Sequence, residues 1–327
     1  AIESPIIKTT SRGVEFVRDW PGPAQPRGRV LRAPIRPRAE ARGWGRIADS
    51  LRHLLATSLR RALAKLELIE RCAPRRFFVR RESLAIRRLE APFDGLRLVH
   101  ITDLHCGPYT NAESMRLLMD AVWAEQPDLI VLTGDTVDRE PGGAAHFAAA
   151  ADGRPAPPLG AYAILGNHDH YDEDARGVAR ILEHAGFQVL INGNARLQRH
   201  GAELWLAGVD DPTNGALDFA QAVHGIPPKA PKILLCHHPD LIAQARDYGF
   251  DLTLAGHTHG GQVRLPILGP VANASRNGRL FTGGTVRVGP ALLHVSRGVG
   301  VATYPIRLFC PPEFSVLTLR SPQRRWP

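Results

Sequence analysis

The sequence predicts an α/β fold in which two mixed β-sheets pack together and are flanked by helices. Five short apolar runs have the length and composition of buried strands, and polar residues follow each of them. Strand and helix patterns alternate from Leu96 onward, which is typical of parallel βαβ units. Shorter strand patterns after residue 280 predict the strands that close a second sheet. The five apolar runs are LRLVHI, DLIVLT, AYAIL, KILLC and DLTLA.

The first 76 residues form two segments of different composition. Residues 1–43 are rich in proline and arginine and lack a periodic apolar pattern, so we expect them to be disordered or loosely attached. Residues 44–76 place leucine and isoleucine at helical spacing, with arginines on the other faces. This pattern predicts a basic amphipathic helix that ends before Pro74. We expect residues 77–320 to form the folded domain and residues 321–327 to form a tail.

The predicted domain begins with a strand or hairpin over the segment FFVRRESLAIRRLE. Thr110 to Glu113 form a capping-box pattern, which predicts a helix that extends to about Glu125. The remaining predicted elements are, in order, a strand at 128–133, a loop to Gly160, a helix at 172–185, and strands at 187–191, 203–209, 280–282, 291–294 and 313–319.

The positive charge of the chain is confined to its first part. Residues 1–92 carry 21 Lys and Arg against 9 Asp and Glu, a balance of +12. Residues 93–327 carry 20 against 23, a balance of −3. A basic amphipathic helix without interleaved aromatic residues suits an anionic membrane surface better than it suits nucleic acid. Docking of the leucines on the folded domain is the alternative interpretation of this helix.

Cysteine usage and the absence of a long apolar run indicate the compartment. No run reaches the ~18 apolar residues that are needed to cross a bilayer. The four cysteines lack paired or CxxC spacing, which favours reduced thiols and a cytoplasmic protein. Together with the basic amphipathic helix, this predicts a protein that is peripheral at the inner face of the membrane. The chain starts at Ala1 without Met, so export after removal of a leader stays open. Cys106 and Cys236 adjoin polar blocks, and we expect both to pack rather than to bind metal.

The polar residues after the five predicted strands have the chemistry of metal ligands. Aspartate, asparagine and histidine are oxygen and nitrogen donors that suit Mn²⁺, Fe or Zn²⁺. Ligands at the carboxyl ends of adjacent strands converge in one crevice of an open α/β sheet. The five blocks are Asp103-Leu104-His105, Gly134-Asp135, Gly166-Asn167-His168-Asp169, His237 and His257-Thr258-His259.

This ordered set of blocks resembles the calcineurin-like metallophosphoesterase superfamily, whose pattern is D-x-H, G-D, G-N-H-[DE], H and G-H-x-H. The segments GHTHGGQVRLPILGP and YPIRLFCPPE are similar to a bacterial branch of membrane-associated phosphodiesterases, which includes UDP-diacylglucosamine pyrophosphatase-like enzymes. The resemblance covers residues 77–320. It implies a four-layer metallophosphoesterase sandwich and hydrolysis of phosphoric ester or diphosphate bonds at a dinuclear metal centre.

The resemblance also implies which residues hold the two divalent ions, with Mn²⁺ expected and Fe or Zn²⁺ as alternatives. Two ions about 3.5–4 Å apart can activate water and clamp the attacking and leaving oxygens at phosphorus. The implied ligands are Asp103, His105 and His259 for one ion, Asn167, His237 and His257 for the other, and Asp135 for both.

Three further residues have an expected role in the chemistry. The resemblance implies that His168 donates a proton to the leaving oxygen or stabilises charge in the transition state. Asp138 is expected to orient the imidazole of His168, with Asp169 as the alternative. Arg297 is a candidate contact for a substrate phosphate, although a solvated or structural role is equally open.

We expect a phosphodiesterase that acts on a phosphorylated, lipid-linked small molecule at an anionic membrane surface. A soluble phosphodiesterase acting on nucleotides or nucleic acid is one alternative. A non-catalytic scaffold of the same fold is another, which the presence of every expected ligand and of His168 disfavours. The sequence leaves the oligomeric state open.

Overall fold

A computed structural model describes residues 7–10, 13–16, 74–139, 141–171, 174–271, 274–275, 277–303 and 305–322. Two β-sheets pack face to face in it, and helices cover their outer faces, so the predicted fold class is confirmed. The expected loose segment 1–43, the expected helix 44–76 and the expected tail 321–327 lie almost wholly outside the described residues.

The first sheet has six strands. In sheet order they are β3 (Phe78–Ala85), β16 (Glu313–Arg320), β4 (Arg97–Ile101), β5 (Leu129–Thr133), β6 (Ala161–Ile164) and β7 (Gln188–Val189). Strands β4 to β7 are parallel, as the alternating strand and helix patterns predict. Strand β16 inserts between β3 and β4, parallel to the former and antiparallel to the latter. The expectation that this C-terminal strand closes the second sheet is therefore wrong.

The second sheet has eight strands. In sheet order they are β1 (Ile7–Thr10), β2 (Gly13–Phe16), β14 (Gly284–Val288), β15 (Ala291–Val295), β11 (Leu252–Ala255), β10 (Lys232–Leu235), β9 (Ala202–Gly208) and β8 (Gly193–Arg199). Its central strands β9, β10, β11 and β15 are parallel. A separate small hairpin consists of β12 (Arg264–Leu265) and β13 (Gly269–Pro270).

The helices lie on the outer faces of the two sheets. They are α1 (Ala112–Ala124), α2 (Ala144–Ala151), α3 (Ala175–His184), α4 (Phe219–Ala222) and α5 (Ile242–Asp247). Single 3₁₀ turns occupy Ala91–Phe93, Pro141–Gly143, His168–His170, Pro239–Leu241, His259–Gly261 and Gly278–Phe281. Helix α1 is capped by the Asn111 side chain, which accepts a hydrogen bond from the Ser114 amide at 3.0 Å. The helix thus starts one residue later than the predicted capping box.

Alternation of side chains along the strands divides the core into layers. In β5, Leu129 and Val131 face the second sheet, whereas Ile130 and Leu132 face the helices of the first. Between the sheets, Leu129 and Val131 pack with leucines and isoleucines of the second sheet, including Leu206. A third apolar cluster lies between the second sheet and its helices. These layers give the helix–sheet–sheet–helix order expected for the fold.

Two local predictions of secondary structure are wrong. Residues 144–151, within the predicted Gly/Ala/Pro-rich loop, form α2 because six of the eight are alanines, the residue with the highest helix propensity. The predicted strand at 280–282 is instead part of the 3₁₀ turn Gly278–Phe281. In the part of the chain that the structure describes, no helix has both the length and the apolar character that crossing a membrane requires.

Candidate metal centre

The polar blocks meet where the two sheets adjoin at the carboxyl ends of their strands. Asp103 follows β4, Asp135 follows β5 and Asn167 follows β6 in the first sheet. His237 follows β10 and His257 follows β11 in the second. Each residue comes two or three positions after the end of its strand. The fold therefore delivers polar groups from both sheets to one crevice, as strand-end placement predicts.

Five residues of this crevice have a left-handed backbone, which is uncommon for residues other than glycine. Their φ angles lie between 44° and 69°, and each costs about 1 kcal/mol or more. The conformation is held by hydrogen bonds, since the His257 amide donates to the Asp103 carboxylate at 3.0 Å and the Gly300 amide donates to the Asp103 carbonyl at 2.7 Å. The five residues are Asp103, His105, Asp135, His257 and His259.

Glycines allow the loops of the two sheets to approach closely. Gly134 has φ of 89°, and a Cβ atom there would lie 2.6 Å from the Gly166 amide nitrogen and 2.9 Å from His237 Nδ1. A Cβ atom at Gly256 would collide with the Asp103 carboxylate. No larger residue fits either position without moving an expected ligand.

Among the described residues, one of the two groups with the spacing of a metal site holds four of the expected ligands, and the other consists of His105, Asp138 and His168. Asp103, His105, Asp135 and His259 each offer a ligand atom, and these four atoms lie within 4.8 Å of one another. The Nε2 atoms of His105 and His259 are 2.9 Å apart. His259 Nε2 lies 3.2 Å from Asp103 Oδ1, and His105 Nε2 lies 3.5 Å from Asp135 Oδ2.

A second group adjoins the first through Asp135. His237 donates from Nδ1 to the Thr133 carbonyl at 2.8 Å, which directs its Nε2 toward Asp135 Oδ2 at 3.1 Å. His257 Nδ1 lies 3.1 Å from the Asn167 side-chain oxygen. The seven expected ligands therefore form two adjacent groups, and the Asp135 carboxylate lies close to an imidazole of each.

The electrostatics of these groups fit a bound cation. Burial raises the pKa of the Asp103 carboxyl to about 6 and lowers the pKa of His105 and His259 well below the usual range. Burial would also lower the pKa of His237, but the charge of Asp135 overcomes it and raises that pKa to about 10. A positive charge is thus favoured between His237 and Asp135, where a divalent ion would supply it.

His168 is held beside the first group by its neighbours. Its main-chain amide donates to Asp135 Oδ1 at 2.8 Å. Its Nδ1 lies 2.6 Å from the main-chain carbonyl of Asp138, whereas the Asp138 carboxylate oxygen Oδ1 is 3.9 Å away. The Asp169 carboxylate instead accepts from the amides of Val137 and Gly166. Orientation of His168 by Asp138 therefore runs through the main chain, and Asp169 supports the loops.

The two arginines near His259 differ in their contacts. Arg297 is half-buried, lies against Gly260 and Gly283, and has its Nε 4.0 Å from Glu313. Its expected contact with substrate stays a prediction. Arg307 is likewise half-buried, and this burial lowers its pKa. It donates to the carbonyls of Gly300 at 2.8 Å and Arg297 at 2.9 Å, and its Nη2 lies 3.3 Å from His259 Nδ1.

Sequence reasoning missed Arg307 and the pairing of two histidines with Asp210 and Asp211. Arg307 belongs to the segment YPIRLFCPPE, which carries the resemblance, but its type alone gave no reason to single it out. His170 Nε2 lies 2.9 Å from Asp210, and this hydrogen bond raises the His170 pKa against the effect of burial. His238 lies 3.0 Å from Asp211 and stacks on His257 with ring centroids 3.8 Å apart.

The cysteines next to the blocks lie outside both groups. Cys106 and Cys236 are buried, and burial raises the pKa of both thiols, which disfavours the thiolate form that binds metal. Among the described residues, the groups that could hold a metal ion consist of Asp and His side chains together with Asn167, and they contain no cysteine.

Comparison with known proteins gives a family match and several relatives. The family model of the calcineurin-like phosphoesterases matches residues 96–261, about half of the chain. An uncharacterized metallophosphoesterase of Bacillus subtilis strain 168, YkuE, is 33% identical over 231 residues, which cover 70% of this chain and 80% of that protein. The phosphodiesterase YaeI of Escherichia coli strain K12 is 32% identical, with 76% of this chain and 90% of that protein covered.

One further relative is a longer protein. A transmembrane protein with metallophosphoesterase domain from Danio rerio is 32% identical over 254 residues, which cover 72% of this chain. The match covers 56% of that protein, so this chain spans about half of its length.

Proposed function

The chain belongs to the calcineurin-like phosphoesterase family and is a hydrolase of that family; from this premise we propose that it is a phosphodiesterase that works with two divalent ions. The observation that carries the proposal is the convergence of ligand atoms from two sheets. His105 and His259, which come from different sheets, approach to 2.9 Å between their Nε2 atoms beside two aspartates. Burial of so many carboxylate oxygens and imidazole nitrogens in one crevice costs free energy that a bound cation would offset.

The expected ligand roles fit the two observed groups. One ion would be held by Asp103, His105 and His259, and the other by Asn167, His237 and His257, while Asp135 contacts both groups. Divalent ions at such a centre supply a water of low pKa and neutralise charge on phosphate oxygens. We propose Mn²⁺ as the ion, because the donors are hard or borderline and contain no thiolate.

His168 is positioned to transfer a proton. Its Nδ1 donates to the Asp138 carbonyl, so the imidazole is fixed in orientation and Nε2 is the nitrogen that can serve a substrate. A proton on Nε2 can pass to the leaving oxygen of the ester. The ring is further held by Tyr171, at 4.4 Å between ring centroids. Arg297 is the proposed contact for a phosphate oxygen.

Hydrolysis of bis(p-nitrophenyl) phosphate tests the reaction. We expect the protein loaded with Mn²⁺ to release nitrophenolate, a chelator to stop the reaction, and added Mn²⁺ to restore it. The monoester p-nitrophenyl phosphate, assayed in parallel, measures the preference for diesters. A loaded protein that cleaves neither compound contradicts the proposal and favours a non-catalytic scaffold.

We further propose that the substrate is lipid-linked and that the protein acts at the inner face of an anionic membrane. The support is the +12 balance of residues 1–92 beside the −3 balance of residues 93–327. Each Lys or Arg near an anionic surface contributes about 1 kcal/mol to attachment. Relatives with a transmembrane region, such as the one from Danio rerio, are consistent with this location. We also propose that the protein belongs to the branch of membrane-associated phosphodiesterases that includes UDP-diacylglucosamine pyrophosphatase-like enzymes.

Deletion of residues 1–76 tests the attachment. We expect the shortened protein to leave anionic vesicles, to keep its hydrolysis of the soluble diester and to lose turnover of a lipid-linked diphosphate. Retention on vesicles would assign the predicted helix to docking on the domain. Loss of folding would assign the deleted segment, which includes β1 and β2, to the fold and not to the membrane. Faster hydrolysis of nucleotides than of lipid-linked substrates would favour the soluble phosphodiesterase.

A further inference from the structure

A large part of the exposed apolar surface is concentrated beside the metal centre. Twelve large apolar residues are exposed among the described residues, and seven of them lie in the β12–β13 hairpin and the segment 306–309. We call these seven residues the apolar ridge. They are Leu265, Ile267, Leu268, Val271, Ile306, Leu308 and Phe309.

Main-chain hydrogen bonds join the two parts of the ridge into one surface. The Arg264 amide donates to the Leu308 carbonyl at 2.9 Å, and the Leu308 amide donates to the Gln262 carbonyl at 2.9 Å. The Val271 amide donates to the Val263 carbonyl at 3.0 Å. Clustered apolar side chains of this kind mark an interaction surface, whereas single exposed ones do not.

The same hydrogen-bonded framework ties the ridge to the metal centre. Gln262 is three residues after His259, and the Arg264 side chain donates to the Gly260 carbonyl at 2.9 Å. Arg307, between Ile306 and Leu308, reaches the ring of His259. A molecule that lies on the ridge is therefore next to the loop that carries His259.

The shape of the ridge favours a deformable partner. Ile267 is at the tip of the hairpin with a relative exposure of 105%, so it projects from the surface instead of lining a groove. Its φ of 69° is a strained value for a β-branched residue. Apart from Phe309 the ridge is aliphatic, whereas surfaces that bind single-stranded nucleic acid present several aromatic rings for stacking.

Charge around the ridge favours an anionic partner. Residues 252–312 contain six arginines and neither Asp nor Glu, although the chain as a whole has 32 acidic residues. An apolar tip within a stretch of sequence that carries six positive charges and no negative ones matches the interface of an anionic bilayer.

We propose that the apolar ridge inserts into the surface of an anionic membrane and sets the metal centre against it. The inference deepens the proposed function and rests on it for the lipid-linked substrate. Contact through residues 44–76 would attach the protein, whereas the ridge would orient it, so that the phosphate of a membrane lipid meets the loop of His259.

Vesicle sedimentation with the full chain tests the ridge. The test variant carries Ile267→Ser and Leu268→Ser, and the matched control carries Ile191→Ser and Tyr248→Ser, which are exposed apolar residues elsewhere. We expect the test variant to bind vesicles of phosphatidylcholine and phosphatidylglycerol about tenfold more weakly at high salt, where attraction between charges is screened. The control should bind like the parent. Equal binding of both variants would overturn the inference.

A label at the hairpin tip reports the contact directly. Ile267→Cys and Tyr248→Cys, each combined with Cys72→Ser, accept a polarity-sensitive nitrobenzoxadiazole dye, while the remaining cysteines are buried. We expect a blue shift with vesicles at position 267 and none at position 248. Absence of the shift at 267, or an oligomer that Ile267→Ser dissociates, would assign the ridge to another partner or to a second copy.

Hydrolysis of the soluble diester separates this inference from the proposed function. Both serine variants should cleave it as the parent does, because neither changes the metal centre. Lack of hydrolysis in all proteins would defeat the proposed function and leave the membrane contact standing. Normal hydrolysis with unchanged vesicle binding would defeat the membrane contact alone.

Discussion

The two sheets contribute unlike halves to the metal centre. The loops of the first sheet supply both carboxylates and the amide, together with one imidazole. The loops of the second sheet supply only imidazoles, which bind metal as neutral groups. The first half consists of Asp103, His105, Asp135 and Asn167, and the second half of His237, His257 and His259.

In the proposed centre, the first half supplies the negative charge and the second half would complete the coordination of the ions. The first half can attract a cation by itself, but neither group of ligands is complete until the sheets pack together. Binding of metal by the folded state alone adds to its stability. We therefore expect metal affinity and the packing of the two sheets to be linked.

Replacement of Asp135 would test the link most severely. Asp135 contacts His105 in its own half and His237 in the other. We expect Asp135→Asn to lose both ions and to lower kcat by roughly 10³-fold or more, the scale of removing a main electrostatic group. Metal analysis and steady-state kinetics measure the effect, with exposed Asp247→Asn as control. Near-full turnover with metal bound would show that Asp135 does not join the halves.

Replacement of His168 would separate proton transfer from metal binding within the first half. We expect His168→Ala to keep both ions and to lower turnover by about 10²–10⁴-fold. Asp138→Asn should cost less than about tenfold, because the carbonyl that accepts from His168 remains. Kinetics with metal analysis compare the two variants. Equal loss of metal in both would show that these residues are ligands.

Replacement of Arg307 would weaken metal binding through the second half of the centre, because Arg307 supports the loop of His259. Lysine lacks the planar fork that donates to the Gly300 and Arg297 carbonyls beside His259. We expect Arg307→Lys to lower metal affinity by about 10–100-fold, as loss of a group that supports a ligand does. Titration calorimetry measures this, with exposed Arg287→Lys as control. Unchanged affinity would mean that the loop of His259 is held without the arginine.

A second contact between the sheets consists of two uncharged histidines, in contrast to the charged metal centre. We call this contact the neutral junction. His100 of β4 and His294 of β15 lie with ring centroids 5.6 Å apart. Burial lowers the pKa of His100 well below its usual value and lowers the pKa of His294 to about 3. His294 bonds to the hydroxyls of Thr285 and Ser315, both at 2.9 Å.

Acid should therefore destabilise the fold through His294. Above pH 6.5 the His294 imidazole is neutral in the folded and the unfolded chain. Between about pH 6.5 and pH 3 only the unfolded chain binds the proton, so the free energy of unfolding decreases as the pH is lowered. We expect His294→Asn to flatten this slope by up to about 1.4 kcal/mol per pH unit. Urea unfolding with chelator present measures the slope, and exposed His200→Asn is the control. A slope equal to that of the parent would contradict the neutral junction.

The sequence predicts the centre better than its surroundings for a physical reason. Strand-end placement is local, so the order of the blocks already brings Asp103, Asp135 and His237 to one edge. The pairing of β16 with β4 is set by contacts more than 200 residues apart, which no local pattern contains. Arg307 and the apolar ridge likewise gain meaning only from what lies beside them in space.

The left-handed backbone of the ligands has a consequence for their substitution by glycine. Glycine is the residue that relieves this strain, so a change such as His259→Gly removes metal binding while favouring the local conformation by about 1 kcal/mol. We therefore expect a change of this kind to silence the enzyme and to leave a folded copy, because the local backbone conformation offers little resistance to it.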